Sequence, residues 1–124
     1  MGKFALKHTD AGYSFNLMAD NNRIIATSQV YTTKEAAKKG IDSVSDNAPF
    51  APIEDQTEEN YEKKELPKFE IFKDKAGEFR FRLKAANGEI IAASEGYKAK
   101  LGCLNGIESV KNNTIWSETE EVKK

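Results

Sequence analysis

Across residues 13–19 every second position is apolar or small: Tyr13, Phe15, Leu17 and Ala19 alternate with Ser14, Asn16 and Met18. A period of two is that of a strand with one buried face. Residues 4–8 read as a shorter strand before it, ended by the turn formers Asp10, Ala11 and Gly12, and residues 23–28 as a third strand after it. The stretch Asp20-Asn21-Asn22-Arg23 predicts a two-residue hairpin, because Asn tolerates the positive φ such turns need. That register faces Ala19 with Ile24, Leu17 with Ala26 and Phe15 with Ser28, puts Ile24 on the buried face, and leaves Asp20 opposite Arg23 at an exposed tip. From Tyr31 the apolar spacing lengthens to about four: Thr32 and Glu35 have the form of a capping box, and Ala37, Ile41 and Val44 stack on one helix face. Phe50 to Ile53 follows as a short extended piece, which its prolines confine to a sheet edge.

The chain then repeats this order. Phe15, Leu17, Ala19, Asn21, Ile24, Ile25, Ala26, Ser28, Tyr31, Lys34, Gly40, Ile41, Ser43, Val44 and Asn47 recur identically 66 positions later, from Phe81 to Asn113, and Tyr13 is answered by Phe79. In the second copy residues 69–73 and 78–85 are strands, Asn87-Gly88 is the hairpin signal, and Ile90, Ala92 and Ser94 join the inward face. A helix over 98–111 turns Leu101, Cys103, Leu104, Ile107 and Val110 to the core, and Trp116 matches Phe50. Gly40 and Gly106, each mid-helix, cost about 0.5 to 1 kcal/mol against Ala and predict a close approach of something to the helix. The unit is β3-α-β, twice. At 124 residues the chain has room for one core, so the repeats share it: an α+β domain of one mainly antiparallel sheet with both helices on one face. Repeat 1 spans 3–53, an acidic linker 54–68, repeat 2 69–119 and a charged tail 120–124.

Composition narrows the function classes. With 39% apolar and 31% charged residues and a net charge of −1, the chain reads as globular, with no overall field toward nucleic acid or an anionic membrane. The single Cys103 cannot form an internal disulfide and fits a reducing cytoplasm; no apolar run reaches membrane length, and MGKFALKH lacks a signal-peptide core.

Candidate chemistry is sparse. His8 is the sole histidine, so any Ser-His or Cys-His pair must pass through it, and Cys103 replaces the small core residue Ala37 of repeat 1. No metal-ligand spacing, phosphate loop or dinucleotide fingerprint is present, so no cofactor or metal is expected. Ser28 with Tyr31, and Ser94 with Tyr97, recur at the strand-to-helix corner; they are expected to cap the helix and satisfy backbone groups, the alternative being an anion held near Lys34 or Lys100. Arg80, Arg82 and Lys84 form an outward basic stripe between the inward Phe79, Phe81 and Leu83. This stripe, with Ile91 and Ala93 beside it, is the candidate partner-binding surface on the uncovered sheet face.

The run F-x-F-x-L-K-A-x-N-G-E-I-I-x-x-S-x-x-Y, carried by Phe79, Phe81, Leu83, Lys84, Ala85, Asn87 to Ile91, Ser94 and Tyr97, with G-I-x-S-V-x-x-N from Gly106 to Asn113, resembles the YegP-like family of small bacterial proteins (UPF0339, DUF1508). The resemblance spans nearly the whole chain as two tandem copies. It implies repeated β3-α-β units in one sheet whose last strands are exchanged between repeats, with Phe50 and Trp116 anchoring them, and it brings no established activity. Repeat 1 departs from the pattern where Met18 stands for the Lys and Asn22-Arg23 for the Gly-Glu. The expected function is that of a non-enzymatic structural or binding module with an unknown protein partner, monomeric rather than dimeric; the alternative is weak, sequence-independent nucleic-acid binding through the stripe.

Overall fold

A computed structural model describes residues 2–19, 21–114 and 118–122. The elements run β1 (Lys3–Thr9), β2 (Gly12–Met18), β3 (Ile24–Thr27), α1 (Lys34–Asn47), β4 (Ile53–Asp55), β5 (Lys68–Lys73), β6 (Phe79–Lys84), β7 (Ile90–Ala93), α2 (Lys100–Thr114) and β8 (Glu118–Val122). One sheet holds all eight strands in the order β4-β5-β6-β7-β3-β2-β1-β8. The repeats meet at its centre, where Thr27 of β3 pairs with Ala93 of β7. At each edge the last strand of one repeat lies parallel to the first strand of the other: β4 on β5, with Ile53 against Phe69, and β8 on β1, with Lys3 against Glu118. The exchange that the resemblance implied is thus built within one chain, and all other strand pairs are antiparallel.

Period-two side chains supply one layer of a single core. Phe4 and Leu6 of β1 stand opposite Leu17 and Phe15 of β2, and Phe69 and Ile71 of β5 opposite Leu83 and Phe81 of β6. Both helices lie on this face, with Ala37, Ile41 and Val44 from α1 and Cys103, Ile107 and Val110 from α2 buried in the same cluster. Among the described residues the buried apolar side chains of the two halves form this one cluster.

Several expectations shift by a residue, for identifiable reasons. The β2-β3 turn has three loop residues rather than two: Asn22 N–H donates to Ala19 O, Ala19 N–H to Arg23 O, and Asn22 takes φ 64°. The β6-β7 turn matches it, with Gly88 at φ 85° bonded to Ala85. Such a turn carries a bulge, here between Leu17 and Met18 and between Leu83 and Lys84; it changes the faces of the two isoleucines beside it, while Leu17 still faces Ala26 as expected, and Ala26, Ala92 and Ser94 stay inward. Ile25 and Ile91 are therefore buried, whereas Ile24 and Ile90, expected inward, are 45% and 40% exposed. Ile91 consequently leaves the outer face on which it was expected. Asp20, half of the expected hairpin-tip pair, lies outside the described residues, and Arg23 is placed 3.9 Å from Glu95.

The α1 N-cap is Thr33, whose hydroxyl accepts from Ala36 N–H at 3.1 Å, so the Thr32-Glu35 capping box does not form. The second helix starts at Lys100, and Leu101 on its first turn points to solvent instead of the core. Phe50 does not anchor the exchanged strand: it is 84% exposed, and Ala51 beside it is buried. Trp116 lies outside the described residues.

The helical glycines are explained by tyrosines. Tyr31 and Tyr97 each form a backbone bridge to the strand of their own repeat, at Tyr13 and Phe79, and stack their rings near-parallel to Phe15 and Phe81 at 6.3 and 6.4 Å. The ring then lies across its own helix: a methyl group at Gly106 would sit 2.5 Å from Tyr97 Oη and 3.0 Å from Phe81 Cε2, and one at Gly40 would overlap Tyr31 Oη in the same way.

Candidate binding sites

On the open face of the sheet, alternation turns Arg80, Arg82 and Lys84 outward as expected, and register decides what they meet. Glu70 of β5 lies opposite Arg82, and Glu54 of β4 lies opposite Glu70. Arg82 Nε donates to Glu70 Oε1 at 2.6 Å, with Lys84 Nζ 3.2 Å from the same oxygen. Lys68 Nζ bridges Glu70 Oε2 at 3.3 Å and Glu54 Oε1 at 2.9 Å. Arg80 Nε donates to Asp74 Oδ2 at 2.7 Å, and Arg82 also lies over the Phe72 ring, 4.4 Å from its centroid.

The two glutamates are almost sealed from water, at 2% and 3% side-chain exposure. Glu54 is covered by the linker: Lys64 N–H donates to Oε1 at 2.8 Å and Gln56 Nε2 to Oε2 at 2.7 Å. Burial alone would raise its pKa, but the bonds from Gln56, Lys68 and the Lys64 amide outweigh that and hold it down at about 2. Glu70 is likewise lowered, burial being overcome by Arg82 and Lys84, and Asp74 is lowered by its bond from Arg80. The equivalent pair in the other half, Lys3 to Glu120 at 3.2 Å, is far more exposed. The basic stripe is thus one side of a compensated lattice. The sequence pattern did not reveal its acidic partners, which come from other strands and from the start of the apparent linker.

The remaining chemistry-bearing residues do not converge. His8 is exposed and stacked on Tyr13 at 4.1 Å. Cys103 is fully buried, and burial pushes its thiol up to about 11. Ser28 and Ser94 satisfy backbone groups, though not those of the helix: each hydroxyl accepts the N–H of Phe15 or Phe81 at 2.9 Å and donates to the carbonyl of the next residue, Gln29 or Glu95. Lys34 is ion-paired with Glu121 of β8, and Lys100 with Asp55 of β4 and with Glu58, so each helix start is tied to the exchanged strand beside it. Among the described residues no cluster of three His, Cys, Asp or Glu is placed to hold a metal ion, and no helix is long and apolar enough to cross a membrane.

Two clefts appear that sequence reasoning missed. One, of about 360 Å³, lies between the 19–23 hairpin of repeat 1 and α2 of repeat 2, lined by Asn21, Arg23, Ile25, Tyr97, Asn105 and Gly106 among others. The other, of about 410 Å³, lies between the 85–89 hairpin of repeat 2 and α1 of repeat 1, lined by Asn87, Glu89, Ile91, Tyr31, Lys39 and Gly40. These correspond position by position at the 66-residue offset of the repeat. The identities that carry the repeat therefore also line the clefts, a signal that could have disclosed them.

The profile of the Domain of unknown function (DUF1508) family matches residues 8–55 and again 74–121. The chain belongs to this family. A UPF0339 protein of Bordetella pertussis is 38% identical over 97% of this chain and 95% of its own length, and one of Photorhabdus laumondii 41% over 88% and 83%. Other relatives are little longer than one repeat: a UPF0339 protein of Agrobacterium fabrum is 67% identical over 52 residues, which is 42% of this chain and 84% of the relative. Two NMR structures share the fold. The E. coli yegP protein of unknown function has a TM-score of 0.75 and 37% identity over 97% of this chain and 91% of its own, and the UPF0339 protein of Shewanella oneidensis 0.79 and 30% over 97% and 90%.

Proposed function

We propose that this DUF1508 protein is a non-catalytic cytoplasmic binding module whose protein partner docks on the open face of the sheet, around Arg80, Arg82 and Lys84. The observation that carries the reading is the preset lattice on that face. Arg82 is held by Glu70 and by the Phe72 ring, and Arg80 by Asp74. Arginine and aromatic groups fixed before contact lose little side-chain entropy on docking, which favours a protein surface as the occupant. The acidic partners also compensate the stripe, which weighs against a polyanion. Burial and the raised pKa of Cys103 support a packing role for the one thiol rather than a nucleophilic one.

Ala93 sits opposite Arg82 in the sheet, outside the lattice, so Ala93→Arg blocks the face without removing an ion pair. In affinity capture from cell extract, a docked partner is retained by the wild-type chain and by Leu101→Arg, which alters an exposed position of α2 on the other side of the sheet, and lost with Ala93→Arg. If every captured protein persists with Ala93→Arg while thermal unfolding shows that variant folded, the open face is not the docking surface.

A further inference from the structure

The twin clefts share one frame and differ in charge. Tyr97 in the first is Tyr31 in the second, Ile25 is Ile91, Asn21 is Asn87, Gly106 is Gly40 and Ser109 is Ser43; but Arg23 is replaced by Glu89, and Asn105 by Lys39. Each cleft needs both repeats, since its hairpin comes from one and its tyrosine and helix from the other. The hydroxyls also differ. Tyr31 is engaged by the Gln29 side chain, whereas Glu95 replaces Gln29 beside Tyr97, and the Tyr97 hydroxyl has no hydrogen-bond partner among the described residues. Asn105 is likewise unpartnered, and Asn21 uses only its oxygen, which accepts from Arg23 N–H at 3.0 Å. The first cleft therefore gathers unused donors, the Tyr97 hydroxyl and two side-chain amides, around one guanidinium. That guanidinium is held only loosely, 3.9 Å from Glu95, with both side chains about two-thirds exposed. Beneath them Ala19, Ile25, Gly102 and Gly106 make a small apolar floor.

We propose that the cleft between the 19–23 hairpin and α2 binds a small organic carboxylate: a compact apolar body resting on Ile25 and the helical glycines, its anionic group taken by Arg23 with the Tyr97 hydroxyl. A cavity of about 360 Å³ is of the size that holds such molecules, and charge-assisted bonds to a carboxylate are the strong ones. The second cleft presents Glu89 where the first presents Arg23, so it rejects the same ligand, and each chain binds one molecule. The proposal is independent of the open sheet face.

The test is an amide NMR titration of the full chain with benzoate as probe, with benzyl alcohol (the same body, no charge) and inorganic phosphate (charge, no body) as comparisons. Saturable shifts at Gly102 and Gly106 with benzoate, at least tenfold weaker with either comparison and with Arg23→Glu, support the site. Glu89→Arg is expected to add a second set of shifts at Gly40. No saturable benzoate shift, equal binding of benzyl alcohol, phosphate binding as tightly as benzoate, or an unaltered Arg23→Glu titration would each overturn it. The folded state of each variant is read from the dispersion of the same spectra.

Discussion

Replacing Glu54 by Gln keeps the shape of the side chain and removes the charge that three donors converge on. The gap between an ordinary 4.5 and about 2 in the folded chain corresponds to about 3 kcal/mol at about 1.4 kcal/mol per tenfold. Water at the sheet edge trims this to about 2 kcal/mol. The variant also leaves Lys68, 13% exposed, with Glu70 as its remaining partner. Because the folded-state value is depressed, the contribution is complete above pH 4.5 and is lost as the pH falls toward 2. Urea unfolding at pH 7 should therefore show Glu54→Gln less stable than wild type by about 2 kcal/mol, and at pH 3 the difference should shrink by more than half. The second repeat supplies an internal control. Glu120 holds the equivalent position, but its side chain is 58% exposed, so Glu120→Gln should cost less than about 0.5 kcal/mol. Equal losses at the two positions, or a Glu54→Gln deficit unchanged between pH 7 and pH 3, would refute the claim that burial under the linker makes this pair strong.

Two further outcomes follow from the core. Gly106→Ala gains about 1 kcal/mol of helix propensity yet places its methyl against Tyr97 Oη; crowding of about 1 to 3 kcal/mol should make it net destabilising in thermal melts, with Tyr97→Phe in the same chain restoring part of the loss. Cys103, buried and with its thiol pushed up to about 11, should resist a thiol reagent such as DTNB at pH 8 in the folded chain and react at once in denaturant.

The doubled architecture was legible because the repeat is written in identities at one offset, and the strand exchange followed from the family resemblance. What failed turned on single residues. Whether Asn22 or Gly88 closes a two-residue or a three-residue loop is a choice of one position, and with a side-chain period of two that choice decides whether Ile24 or Ile25 is buried. Alternation placed Arg80, Arg82 and Lys84 on the open face correctly, but a strand's own pattern cannot show its neighbour's residues. Glu70 and Glu54 came into view only with the pairing, and the acidic stretch that read as solvated linker proved to begin in a strand. The clefts were hidden for a related reason: each joins residues from opposite halves of the chain.

Because the final strand of each half is seated in the body of the other, the connection through residues 56–67 is not what keeps the halves together. Cutting it would leave two pieces still clasped, each holding an arm of its neighbour. A single repeat of this fold, taken alone, would have one arm and one vacant berth, and its simplest way to fill that berth would be to take the arm of another copy. On this view the doubled chain is two such units held by a covalent tie, and the tie lets them differ, the second having the glutamate of the repeat pattern where the first has arginine.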